Sequence, residues 1–243
     1  MKTITKKSEI KIHLESSLAI YHAGGLHACM ASVHKTILSN KVKFPLLEYC
    51  GGEIYNVIPG DEQCTFCDLV QSLKTEGGNV ISGIILQKRL TDDFNQSIEK
   101  ATDFIAEAGI WYVCDIIGER VFGFALLNQP QRTLPLLKRL SNHHSHWVVR
   151  ALGAGVHYAV KKGLNKEAVK AAFQILLSKA GVRNKEIRQG IGWAAKTTAK
   201  FHPKIVEHFK NKIDNQEKVA NWFRKKITIG LSKNNYIEQL KLK

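Results

Sequence analysis

Proline is scarce, with five in 243 residues, and so are the alternating β-branched runs that would mark a sheet. Together these absences argue against a sandwich or barrel and leave a helical chain. No run of 18 apolar residues occurs, so no membrane span is expected. The basic start, Met1 to Lys7, continues into Glu9, Lys11, His13 and Glu15 rather than into the apolar core of a secretory signal. A cytoplasmic location is therefore the expectation. The cysteines (Cys29, Cys50, Cys64, Cys67 and Cys114) are odd in number, which argues against a disulfide framework. Cys64-Thr-Phe-Cys67 is a lone CxxC. Cys50 with His22 or His27 could complete a zinc set, but a second clean ligand pair is missing. Small, half-buried apolar thiols are the better reading. No metal and no cofactor is expected.

Positive charge is present in excess, and unevenly. From Gln131 to the end the chain carries 24 Lys+Arg against 6 Asp+Glu, and before that point 12 against 15. A basic half joined to a near-neutral half directs a field toward a polyanion: nucleic acid, an anionic membrane surface or an acidic protein. Charge alone does not choose among them.

The length suits one domain over residues 1–243. Residues 1–75 read as divergent N-terminal helices with an irregular insert, and residues 76–243 as helical repeats. Gly51-Gly52 and Pro59-Gly60 make Cys50 to Cys67 the least regular stretch, where a hairpin or loop is expected. Further on, helix pairs recur. Leu134–Leu140 precedes His146–Lys162, Lys166–Ala180 precedes Lys185–Lys200, and Lys204–Lys212 precedes Glu217–Ile227. Gly163, Gly181 and Pro203 punctuate the joints. The second helices start about 40 and then about 32 residues apart, the spacing of HEAT-like repeats. The predicted fold is an all-α helical-repeat solenoid, a superhelix with a concave basic surface.

On the helix from His146, Val148, Leu152, Gly155 and Ala159 share an apolar side, while Arg150, Gly153, His157 and Lys161 share another. On the next repeat Ile187, Ile191, Ala194 and Thr198 form the apolar stripe. Gln189, Trp193, Lys196 and Lys200 lie off it, so Trp193 sits in a polar, basic row. Such a tryptophan is either core or part of a nucleic-acid surface, which needs cations for phosphates and a flat face for sugar or base. Trp111 and Asp115 are neighbours on one helical face, with Gly118 next along it leaving room, and Ile110, Cys114, Ile117 and Val121 form that helix's core stripe. Asp115 is either a salt-bridge partner or a functional carboxylate. Asn142-His143-His144-Ser145-His146 reads as a solvated or phosphate-facing loop.

These stretches resemble the bacterial DNA alkylation repair family of HEAT-like glycosylases (AlkD-like). Gly190-Ile191-Gly192-Trp193 followed by Pro203 is similar to the family's AIGW…P helix. Trp147-Val148-Val149-Arg150-Ala151 is similar to its W-x-R-R-x-A, and Trp111 with Asp115 to its tryptophan-x-x-x-aspartate. The likeness spans roughly residues 75–225. Four residues depart from the pattern: Lys196-Thr197 stands for an arginine-glutamate pair, Gln189 for a lysine, and Tyr112 for an acid.

The resemblance implies hydrolysis of the N-glycosidic bond of a cationic 3-methyl or 7-methyl purine. It assigns the catalytic roles to Asp115, Trp111, Trp193 and Arg150. Asp115 would stabilise the sugar cation, the two tryptophans would pack on the nucleotide, and Arg150 would grip a phosphate. Arg150, His157, Lys161, Arg188, Lys196 and Lys200 are the expected DNA-binding residues. The expected partner is double-stranded DNA, bound by a monomer. Two alternatives use the same scaffold: a non-catalytic binder of branched or distorted DNA, and a helical-repeat protein–protein adaptor.

Overall fold

Short apolar stretches punctuated by capping residues place the helix boundaries. Asn165 Oδ1 accepts from Ala168 N at 2.9 Å, Asn184 Oδ1 from Glu186 N and Ile187 N, and Thr75 Oγ1 from Gly78 N. Each satisfies donors that a helix start leaves unpaired. The computed structural model describes residues 2–241, with side chains as far as Asn234. It is helical almost throughout; among the described residues the extended structure is a two-residue parallel ladder, β1 (Thr3–Ile4) on β2 (Lys41–Val42). The chain forms two compact units, residues 1–104 and 105–243.

The first unit contains α1 (Lys7–Val33), α2 (Phe44–Val57), α3 (Gly60–Ser72), α4 (Glu76–Arg89) and the start of α5 (Phe94–Ala108). The irregular insert expected at Cys50 to Cys67 is instead the body of α2 and α3. Gly51 lies inside α2, where a Cβ would come within 2.9 Å of Ile81 O, so the glycine permits α4 to approach. Pro59 is the N-cap of α3, a position where its missing N–H costs nothing. Ile10, Leu14, Ile54, Phe66, Val70, Ile81 and Ile85 build the core. Cys29, Cys50 and Cys67 are buried, and burial pushes the Cys29 thiol up to about 11 and Cys50 to about 12.

The second unit repeats helix pairs. α6 (Trp111–Ile117) runs through a π-helical segment, Gly118–Gly123, into α7 (Phe124–Asn128). Then follow α8 (Pro130–Leu140), α9 (His146–Lys161), α10 (Lys166–Leu177), α11 (Lys185–Phe201), α12 (Pro203–His208), α13 (Lys210–Ile213) and α14 (Asn221–Lys241). The α6–α7 run, α9, α11 and α14 pack in succession as one layer, with α8, α10 and α12 against them as a second. This is helical-repeat stacking. The last pair differs from the sequence expectation. Phe209 leaves helical geometry and splits Lys204–Lys212 into α12 and α13. Asn215 then caps a turn, accepting from Glu217 N and Lys218 N, so the final helix starts at Asn221 rather than Glu217. Among the described residues no helix is long and apolar enough to cross a membrane.

Candidate functional site

Gly109 (φ +61) turns the chain and Ile110 enters extended, so Trp111 is the first residue of α6. Cys114, Ile117 and Val121 are fully buried and fix the helix. Trp111 is left 55% exposed, its ring meeting Tyr112 edge-on at 5.9 Å between centroids. Asp115 follows one turn later, partly buried. The room expected at Gly118 is absent. A Cβ there would meet Ala151 O at 2.8 Å, because the backbone of α9 fills that space.

Asp115 is held by Arg150 of α9. Arg150 Nε donates to Asp115 Oδ1 at 3.1 Å and Nη2 to Oδ2 at 2.9 Å, a fork matched to a carboxylate. Nη1 donates to Glu186 Oε2 at 2.9 Å and to Gln189 Oε1 at 2.6 Å, both on α11. Only one Nη2 hydrogen is not used in these bonds. Arg150 is 7% exposed. Burial works against its charge, but the hydrogen bonds and field of Asp115, with Cys114 and Glu186, outweigh it and raise its pKa above the usual value. Arg150 therefore spends its donors on side chains of its own unit, not on an open phosphate site.

Two glycines allow this meeting. A Cβ on Gly153 would fall on the carbonyl of Gly190, and one on Gly190 would fall on the carbonyl of Arg150. Helices α9 and α11 thus cross backbone to backbone, and α11 covers the side of α9 that carries Arg150, Gly153 and His157. One turn beyond Gln189, Trp193 stacks on His157 of α9, with centroids 3.9 Å apart and planes at 27°. Thr197 has one hydroxyl hydrogen, which it donates to Trp193 O at 3.1 Å. Its oxygen must then accept from His157, at 2.7 Å, which places the imidazole proton on Nδ1. Burial, then Lys161 and Lys196, push the His157 pKa down to about 4. His157, expected among the DNA-binding residues, is thus held neutral at neutral pH, with its ring stacked on Trp193.

Several of the remaining basic residues gather around Lys196, one turn beyond Trp193 on α11. Burial and then the charges of Lys226, Lys233 and Lys200 lower the pKa of Lys196. Lys200 is half-buried, Lys161 and Arg188 are exposed, and Arg188 lies over the Trp222 ring at 5.8 Å. The His143 and His144 rings lie 4.2 Å apart, tilted by 31°, and Ser145 N donates to His143 Nδ1. Among the described residues no group of three His, Cys, Asp or Glu is arranged to hold a metal.

The structure thus joins Asp115 to Arg150, and Arg150 to α11 at Glu186 and Gln189. It joins Trp193 to His157 and Thr197, while Trp111 belongs to the group through its helix. Glu186 was not singled out in the sequence. Its spacing of three from Gln189 puts both on one helical face, but nothing in the sequence told which arginine that face meets.

A model of the DNA alkylation repair enzyme family matches residues 67–226, about two thirds of the chain. Among solved structures, AlkD2 from Streptococcus mutans is similar in fold, with a TM-score of 0.71 at 15% identity over 84% of this chain and 97% of that one. No curated protein matches. The three motifs, the paired helices and the extent of the family match place this chain in the DNA alkylation repair enzyme family.

Proposed function

We propose that this protein is a DNA glycosylase that hydrolyses the N-glycosidic bond of a purine made cationic by alkylation, of the 3-methyl or 7-methyl type. The observation carrying this reading is a carboxylate fixed at both oxygens by Arg150, one turn from an exposed tryptophan on the same helix. A cationic base leaves as a neutral molecule, taking the electron pair of the C1′–N bond, so no general acid is needed. The sugar left behind develops positive charge, and a preorganised carboxylate stabilises that charge. Each Asp115 oxygen accepts one bond from Arg150 and keeps a further lone pair, which can orient water toward C1′ and take its proton. Arg150 acts here as the group that aims Asp115. Trp111 and Trp193 offer ring faces to the nucleotide, where the π-electrons favour a cation. The lysines around Lys196 supply charge for phosphates.

The test is release of free base from alkylated duplex DNA. Wild type should release it, and Asp115→Asn should lower the rate at least about a hundredfold, the effect of one well-placed group worth about 3 kcal/mol. DNA affinity should stay level or rise slightly. The same ion pair also suits a second reading, a non-catalytic DNA binder in which Arg150 neutralises Asp115. That reading is selected if neither protein releases base while both bind DNA. Full activity in a well-folded Asp115→Asn protein would remove this residue from the mechanism.

A further inference from the structure

We propose that Glu186 gives the Asp115–Arg150 group a net negative charge, which makes the site select a positively charged purine over a neutral one of the same shape. The inference rests on the reading of the site as one for alkylated bases and adds a residue that sets its specificity.

Two carboxylates share one cation. Asp115 and Glu186 each lie 2.9 Å from an Arg150 nitrogen, with about a fifth of each side chain in water (19% and 22%). Arginine keeps its proton, so it cancels one carboxylate and leaves the other. The hydrogen bonding of Arg150 does not require that second charge. Gln189 Oε1 already accepts from the same nitrogen at 2.6 Å without carrying any. A neutral acceptor at position 186 would satisfy Nη1 equally well, so the carboxylate adds field rather than geometry.

That field is exceptional where it stands. Residues 105–243 carry 25 Lys+Arg against 9 Asp+Glu. Lysines suit phosphates, and a negative spot among them repels phosphate and suits whatever on the nucleic acid is cationic. An undamaged base is neutral and gains little there. A purine alkylated at a ring nitrogen carries a full positive charge and gains a charge–charge term from a site part-shielded from water.

Glu186→Gln tests this, because it keeps the shape and the acceptor oxygen while removing the charge. The probes are duplexes holding one 7-methylguanine, which is cationic, or one 7-deaza-7-methylguanine, its neutral isostere. Both carry 2′-fluoro sugars, which resist loss of the base, and affinity is read by fluorescence anisotropy. Wild type should favour the cation, and Glu186→Gln should lose about tenfold of that preference. Its affinity for undamaged duplex should hold or rise. Gln189→Glu, which adds a carboxylate on the same nitrogen, should enlarge the preference. A wild type that does not distinguish the two probes overturns the proposal. So does a Glu186→Gln protein that keeps the full preference, or one that melts far below wild type while Gln189→Glu changes nothing. Base release from ordinary sugars is measured separately. A preference for the cation without release would sink the glycosylase reading and leave this inference standing.

Discussion

Arg89 in the first unit and Arg150 in the second are both buried, at 6% and 7% exposure, and their surroundings differ in kind. Arg89 donates to Gly60 O at 2.5 Å, Gln63 Oε1 at 3.0 Å and Gln96 Oε1 at 2.5 Å, all neutral oxygens. Gln63 is fixed in turn, its amide donating to Tyr55 O and Ile58 O. That arginine ties the end of α2 and the starts of α3 and α5 to α4. Arg150 instead meets two carboxylates that each keep one edge in water. The first unit carries 11 Lys+Arg against 12 Asp+Glu and the second 25 against 9. The same buried cation therefore joins neutral oxygens of α3 and α5 in one unit and fixes two carboxylates in the other.

Replacing each arginine by methionine separates the two roles. Arg150→Met strands two part-buried carboxylates and should cost about 3 kcal/mol, the low end for breaking a buried pair because both acids touch water. Arg89→Met strands neutral oxygens and should cost about 1–2 kcal/mol. The pH dependence should differ as well. Without Arg150 the two part-buried acids stand charged and unpaired at neutral pH, so the penalty is full there and fades as acid neutralises them. The Arg89→Met penalty has no titrating partner of this kind and should stay flat. Denaturant unfolding at pH 7 and pH 4.5 measures both, and equal, parallel losses would erase the distinction.

The second unit was more legible in the sequence than the first, for physical reasons. Gly163 and Pro203 are punctuation that acts locally, and α9 ends and α12 begins at the joints they mark. In the first unit Gly51 and Pro59 looked like breakers of structure. Gly51 instead admits α4, and Pro59 precedes a helix, contexts that only packing reveals. What covers each face of α9 is hidden for a related reason. Arg150, Gly153 and His157 do share a side, but periodicity cannot tell which helix covers it. The Gly153–Gly190 crossing joins positions 37 residues apart. Glu186 escaped notice because its meaning lies wholly in that long-range contact with Arg150.

The charge difference between the units gives a smaller effect. Lys196→Ala with Lys200→Ala should weaken duplex binding about tenfold near physiological salt, alike for all sequences. The slope of log affinity against log salt should shrink by about 2, the change expected when two phosphate contacts and their counterions are lost. Lys35→Ala with Lys41→Ala, two exposed lysines of the first unit, should leave affinity within about twofold. Equal losses from the two pairs would mean that the phosphate-binding surface is not confined to the second unit.

The smallest effect concerns His157, which sharpens the contrast within the second unit because it is a basic side chain held neutral where Arg150 is held charged. Its folded-state pKa is about 4 against an ordinary 6.5, with burial first and then Lys161 on its own helix and Lys196 on α11 disfavouring the cation. Between those values the unfolded chain binds more protons than the folded one, so this group's stabilisation is complete above about pH 6.5. It is lost as pH falls toward 4. The loss should be about 1 kcal/mol after allowance for the part of the ring that reaches water. Carboxylates titrate over the same range, so wild type must be compared with Asn and Phe variants at position 157. Neither variant can take up a proton there, and both should lack this component of the pH profile. They differ in what they keep. Asn preserves a donor to Thr197 without the ring, and Phe preserves the ring without the donor. If stacking is what steadies Trp193, Phe should retain duplex affinity within about twofold and Asn should lose several-fold; if the hydrogen bond governs, the order reverses. Matching pH profiles in wild type and both variants would show that His157 is not the group held neutral.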